Sequence, residues 1–321
     1  MKRLFARLGL LACISGCLLA APAARASQPP LRIVVGFPPG GALDALARIV
    51  AHDLSKQLNE PVIVDNKPGA GGTIATAYVA HSSPSDNTLL FADTSMLIAP
   101  HIYKQVTYNW ARDFSPVAML GVVDFVVAVP PNSPAHTLAD YIKMAKAKPG
   151  FYTYGSSGVG SIHHLSGEML QMKTGIKLVH VPYRGGSPSL QGLAAGDVSM
   201  AIVSLGASAS FIKDHKIRAL ALLSEDKYAG YDIPAIDSYI PGYDVNSGVF
   251  LLAPKGFDAQ RIQRIGSVLS KAVQNKKVIA AFTLQGAQAS YRDAAALGAW
   301  MGKEDNKWAE VIKHNKISVE H

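Results

Sequence analysis

The chain has 321 residues, more than one ordinary hydrophobic core holds, so about two domains is the starting expectation. Its formal charge is +8, from 31 Lys and Arg against 23 Asp and Glu, but the basic residues are dispersed and no basic cluster alternates with aromatics, which argues against a nucleic-acid partner. Beyond the N-terminus no stretch approaches the ~20 apolar residues of a spanning helix, so the mature chain is expected to be soluble.

The first predicted element is a secretory signal over residues 1–26. Lys2, Arg3 and Arg7 precede an uncharged run from Leu8 to Ala21, too short to span a bilayer, and Ala24-Arg25-Ala26 is a small-x-small cleavage site. Ile14-Ser15-Gly16-Cys17 also loosely resembles a lipoprotein processing site, which would make Cys17 the acylated terminus. Cleavage after Ala26 starts the mature chain at Ser27 in the periplasm. It removes Lys2, Arg3, Arg7, Arg25 and no acid, so the charge falls from +8 to +4. It also removes both cysteines, Cys13 and Cys17, leaving no disulfide, thiolate nucleophile or cysteine metal site.

From Leu31 onward short apolar runs alternate with segments of helical period. LRIVVGF reads as a buried strand, and ALDALARIVAHDLSKQL sets Leu43, Leu46, Ile49, Val50 and Leu54 on one helix face. PVIVDN, GGTIATAYVAHS and TLLFAD continue as strand, helix and strand, the alternation of an α/β domain with a largely parallel sheet. The pattern recurs after DFVVAVPPNSP: the helix TLADYIKMAKAKPG, the strand, loop and helix of FYTYGSSGVGSIHHLSGEMLQMKTG, the strand KLVHVPY, the helix GSPSLQGLAAG, and the strands VSMAIVS, IRALALLS and GVFLLAPKG. The remainder from Asp258 reads as mostly helical. Boundaries near Asp124 to Pro131 and Gly248 to Pro254 divide the mature chain into a first domain of 27–127 and 250–321 and a second of 128–249, with two crossing strands as hinge.

Three strand-to-helix junctions are glycine-rich: Gly40-Gly41, Gly69-Ala70-Gly71-Gly72, and Gly155 through Ser161. A helix starting at the carboxyl end of a parallel strand presents unpaired amides and a positive dipole end, and glycine lets an anion approach them. Tight turns alone would also call for glycine. Phosphate chemistry fits poorly. No G-x-G-x-x-G is complete, and the Gly155 loop continues with Ser161-Ile162 where a P-loop has Lys and Ser or Thr. A carboxylate suits the loops better than a nucleotide.

Those residues carry a resemblance. FPPGGALDALAR, VDNKPGAGGTIA, GSSGVGSIHHLSGEML and VPYRGGSPSLQGLAAGDVSM, in this order, resemble successive signatures of the Bug-type receptors, the extracytoplasmic solute-binding proteins of tripartite tricarboxylate transporters. The resemblance implies an α/β fold of two domains, a periplasmic-binding-protein-like clamshell closing on a small carboxylate. Each domain would be a mostly parallel sheet flanked by helices. The partners implied are the membrane permease subunits of such a transporter, or a signalling sensor. A monomer without cofactor or metal is expected. The ligand-binding positions implied are Phe37, Pro39, Gly40, Gly41 and Asp44 in the first loop, Gly71 and Gly72 in the second, and Thr94 and Ser95 after the third strand. The second domain would add Ser156, Gly160, Ser161 and His164, then Tyr183, Arg184 and Gly185. Leu43 stands where the family commonly has Thr, Ser204 where many members have an acid, and FADTSML replaces a glycine-containing loop, so the resemblance leaves the solute open.

Each named side chain has a second reading. Asp44 in a first helical turn complements the dipole without touching a ligand. His164 reads as a buried, hydrogen-bonded histidine, since His163-His164 lacks the H-E-x-x-H spacing of a metal site. Arg184 is either a bidentate carboxylate partner or a solvated rim charge. Ser156, Ser157 and Ser161 beside the two histidines also suggest a secreted serine esterase, but G-x-S-x-G is absent.

Overall fold

The computed structural model describes residues 29–224 and 232–318; the predicted signal over 1–26, with Cys13 and Cys17, lies outside the described residues. In chain order the first elements are β1 (Leu31–Val35), α1 (Ala42–Leu58), β2 (Val62–Asn66), α2 (Thr73–Ala80), β3 (Thr88–Asp93), α3 (Ser95–Ile102), α4 (Trp110–Asp113) and β4 (Phe114–Val129). There follow α5 (Leu138–Ala147), β5 (Thr153–Ser156), α6 (Ile162–Thr174), β6 (Val179–Pro182), α7 (Gly186–Ala195), β7 (Met200–Ser204), α8 (Leu205–Lys213) and β8 (Arg218–Leu222). β9 (Asn246–Pro254), α9 (Ala259–Ala272), α10 (Lys276–Leu284), β10 (Gln288–Arg292) and α11 (Ala294–His314) complete the fold.

Local chemistry sets the helix ends. Thr137 and Asp140 form a capping box at α5, and Ser161 Oγ accepts the His164 amide at the start of α6, which Gly175 closes in the left-handed conformation. The 3.6-residue spacing in α1 buries Leu46, Val50, Leu54 and Leu58 under the sheet.

β4 organises the architecture. Phe114 through Asp124 pair antiparallel with β9, whereas Phe125 through Val129 pair with β7 and β8. One strand thus belongs to two sheets, of order β2-β1-β3-β9-β4 on one side and β4-β7-β5-β6 on the other. The outer strands are parallel, as the βαβ pattern requires, and the antiparallel pairs occur where β4 and β9 enter. The result is an α/β clamshell of two lobes.

Both faces of each sheet are covered. In the first lobe Leu31, Ile33, Leu54, Phe91 and Phe282 pack on one side and Val34, Leu97, Phe250 and Trp300 on the other. In the second, Tyr141, Tyr154, Leu165 and Ile202 oppose Leu190, Leu193, Ala201 and Val203. α11 serves both lobes: Leu297, Trp300 and Met301 pack in the first, while Trp308, Val311 and Ile312 join the second-lobe cluster. Gly36 marks the approach of the first two glycine loops, since a Cβ there would lie 2.7 Å from Gly72 Cα.

Candidate functional site

Residues at or just past the carboxyl ends of β1, β3 and β5 line a shared cleft. A cavity of about 370 Å³ is lined by Phe37, Gly71, Asp93 and Ser95 from the first lobe, by Ser157, Val159, Gly160, Ser161 and His163 from the second, and by Ser247 on β9. A second cavity, of about 310 Å³, shares Phe37, Asp93 and Ser247 and is otherwise mostly apolar, with Leu43, Leu46, Val123 and Val249 beside Gly41. A larger space of about 700 Å³ lies wholly on the second lobe, between Lys213, Arg218 and Asp232. It touches none of the glycine loops, so the interlobe cavities are the candidate site.

The first loop is held by buried Asp44 and half-buried Asn66. Asp44 accepts from the Gly40 amide at 2.9 Å, from Arg48 Nε at 2.9 Å and from Asn66 Nδ2 at 2.8 Å, and Asn66 also donates to the Phe37 carbonyl at 3.0 Å. Burial pushes the Asp44 carboxyl up, but the bonds from Arg48, Gly40 and Asn66 outweigh it and hold it below the usual range. Asp44 is 2 % exposed and lines neither cavity, so its role is to shape the loop.

A column of rings backs the second-lobe loop. Tyr154 stacks on His180 with centroids 4.9 Å apart, and His180 on His164 at 4.0 Å. His164 Nδ1 accepts the Gly160 amide at 3.1 Å, and Ser156 Oγ lies 2.6 Å from His180 Nε2 and accepts the Gly158 amide at 3.1 Å. Burial pushes both imidazoles down to about 4, so they are neutral at neutral pH and act as fixed hydrogen-bond partners.

The positions read from the sequence therefore separate. Phe37, Gly41, Gly71, Ser95, Gly160 and Ser161 come together on the cavity walls. Pro39 and Gly40 lie exposed in the first loop, and Gly72 is buried beneath the Phe37 ring. Thr94 is fully buried and accepts the Gly248 amide at 3.0 Å, pinning β3 to β9. Ser156 and His164 stand behind the loop. Tyr183 packs against Gly155 and Gly192, Arg184 is exposed, and Gly185 precedes α7; none of the three lines either interlobe cavity.

Of the polar lining residues, Asp93 and Ser247 went unnamed in the sequence reading, and Ser157 and His163 entered it only as part of the esterase alternative. Ser157 Oγ lies 2.7 Å from His163 Nδ1, and the His163 ring stands edge-on to Phe125, the residue where β4 changes sheets. Enclosure pushes His163 down to about 4. The signal for His163 was available in principle, because adjacent helical residues point about 100° apart and only one of His163 and His164 can face the cleft.

Among the described residues no group of three or more His, Cys, Asp or Glu is arranged to hold a metal, and no helix is long and apolar enough to cross a membrane.

Residues 46–317 match the family described as "Tripartite tricarboxylate transporter family receptor". Protein BugT of Bordetella pertussis is 32% identical over 321 residues, covering 98% of this chain and 97% of BugT. Among solved structures, a TctC solute-binding protein from Polaromonas, solved without ligand, superimposes with a TM-score of 0.81 at 26% identity, covering 89% of this chain and 99% of that one. An R. palustris protein solved with adipate gives 0.76 at 28% identity, covering 91% and 99%.

Proposed function

This chain belongs to the tripartite tricarboxylate transporter family of receptors, and from that premise we propose that it is a periplasmic receptor that captures a small carboxylate between its lobes and delivers it to the membrane permease of such a transporter. The observation that carries the reading is the interlobe cavity of about 370 Å³, walled by hydroxyls and glycine loops from both lobes. A ligand that touches both walls stabilises the closed arrangement relative to the open one, and closure is the signal a permease or a sensor can read. The hinge lies where β4 passes from Asp124, paired with β9, to Phe125, paired with β7, within the boundary region of Asp124 to Pro131.

The test is a thermal-shift and calorimetric screen of small carboxylates. Binding to the folded state alone adds ~2.7 kcal/mol at about 100 times Kd, which raises the melting temperature measurably. The companion variant is Gly41→Ala. Gly41 has φ −75° and ψ 166°, open to any residue, and the nearest atom to an added Cβ is Pro38 O at 3.4 Å. The ligand-free variant should therefore melt near the parent, while the methyl group narrows the second cavity and weakens binding several-fold. A panel in which neutral sugars shift the melting temperature and no carboxylate does would refute the reading.

The Ser157–His163 pair is also what a hydrolase would need. No carboxylate contacts the other imidazole nitrogen among the described residues, and an imidazole held down near 4 is a weak base. The pair instead offers a positioned hydroxyl to the ligand. Recovery of the bound molecule chemically unchanged separates receptor from esterase.

Export rests on the Lys2-to-Ala26 segment. Intact mass of protein from the periplasm should give a chain beginning at Ser27; an acylated Cys17 terminus would point to the lipoprotein route instead.

A further inference from the structure

Asp93 ends β3 at the junction of the two interlobe cavities and lines both. Its Oδ1 accepts the Ser95 amide at 2.9 Å and the Ser95 hydroxyl, which fixes the carboxylate at the start of α3. Among the described residues it has no ion pair, whereas Asp44, the acid of the first glycine loop, is paired with Arg48. Among the described residues neither cavity is lined by a lysine or an arginine. Among the described residues, the only acidic or basic side chain apart from His163 on the walls of a site for carboxylates is thus itself an acid.

We infer that Asp93 is a specificity-determining residue that receives a cationic group of the ligand, so that the preferred solute is a zwitterionic ammonium carboxylate and not a dicarboxylate. The inference rests on the carboxylate-receptor reading above. One end of the ligand, its carboxylate, meets the second-lobe wall from Ser157 to Ser161, where the Ser161 hydroxyl already donates to the Gly158 carbonyl and the Ser157 hydroxyl, beside His163, is the one presented. The other end meets Asp93. A second carboxylate there would oppose a like charge in a partly desolvated cleft, which is repulsion acting as a filter, whereas an ammonium group supplies the missing counter-ion.

Among the described residues no cation of the chain neutralises Asp93. Burial raises its carboxyl above the usual range in spite of the Ser95 bonds, which favours the free acid until a cation is present; an ammonium group draws it back to the carboxylate, and a second carboxylate raises it further. The neighbouring titratable groups are uncharged: burial raises the Tyr108 hydroxyl well beyond neutral pH, and His163 is held near 4. Closure around a cation at Asp93 therefore replaces lost solvation with a direct charge-assisted contact.

Isothermal titration at pH 8 against matched pairs tests this: succinate with γ-aminobutyrate, glutarate with δ-aminovalerate, and adipate with ε-aminocaproate, each pair differing by a carboxylate exchanged for an aminomethyl group. In the parent protein the ammonium member of the best-binding pair should bind at least about tenfold tighter, equivalent to ~1.4 kcal/mol. Asp93→Asn keeps an oxygen for Ser95 and should erase that preference, and Asp93→Glu should retain part of it. A parent protein that favours the dicarboxylates, or an Asp93→Asn variant that weakens both members of a pair equally, overturns the inference while leaving the receptor reading intact. Failure of every carboxylate, including α-amino acids, to bind the parent overturns both.

Discussion

Gly206→Ala should weaken ligand binding at least about tenfold while leaving the ligand-free protein as stable as the parent, or more so. Gly206 lies in the first turn of α8, directly after β7 leaves its pairing with the hinge residue Phe125. Its backbone packs on Gly286 between α10 and β10, so the contact joins the two lobes, and a Cβ at Gly206 would fall far inside the van der Waals radius of Gly286 Cα. No side-chain rotation relieves that overlap, because the obstructing atoms are backbone. Relief requires the lobes to part by about 1.5 Å, the difference from an ordinary contact of ~3.5 Å. A wedge this close to the hinge is amplified at the cleft mouth, and the arrangement in which both walls reach one ligand is lost. Alanine favours the helix over glycine by up to about 1 kcal/mol, which is why folding should not suffer. Calorimetric titration and small-angle scattering of ligand-free protein check this; unchanged affinity with an unchanged scattering profile would show that the contact plays no part in closure.

Trp308→Ala should cost about 3–5 kcal/mol of stability and lower the melting temperature by about 6–20 °C. Trp308 is fully buried on α11, and its Nε1 donates to Glu304 Oε2 at 2.9 Å. Glu304 is itself buried and also held by Lys307; burial pushes its carboxyl above the usual range against the pull of that lysine. Removing the indole leaves a cavity where α11 meets the second lobe and deprives a buried carboxylate of a donor, and the two costs add. Trp308→Phe refills part of the volume without restoring the donor, so it should fall between. Urea unfolding of the three proteins measures the series. A loss under about 1 kcal/mol in Trp308→Ala would mean that α11 is not a structural tie between the lobes.

Much of the fold was legible in the chain. The repeated strand, glycine and helix pattern depends on local rules: apolar period, capping residues such as Thr137 and Ser161, and glycine where a strand gives way to a helix. These act within a few residues, so α1, α5 and α6 and the strands that flank them were read from sequence. β4 was read only from Asp124 onward. Pro116 and Gly121 interrupt its first half, and the register shifts that absorb them, between Pro116 and Ala118 and between Met119 and Gly121, depend on the pairing with β9.

The site divides in the same way. Strand-then-helix order located the three glycine loops, because a loop at the carboxyl end of a strand is a local consequence of that order, and the family resemblance placed Phe37, Gly41, Gly71, Ser95, Gly160 and Ser161 among the candidates. Neither could rank the two acids. Asp44 and Asp93 both lie where a strand gives way to a helix, yet Asp44 gathers Arg48 from the next turn and Asn66 from a strand 22 residues away, while Asp93 keeps its carboxyl on the cleft wall without an ion pair among the described residues. The deciding partners are distant in sequence, and whether a polar group is satisfied or presented depends on what the tertiary fold brings to it. For the same reason tertiary structure alone separated His163, which faces the cavity, from His164, which is consumed in the stack against His180.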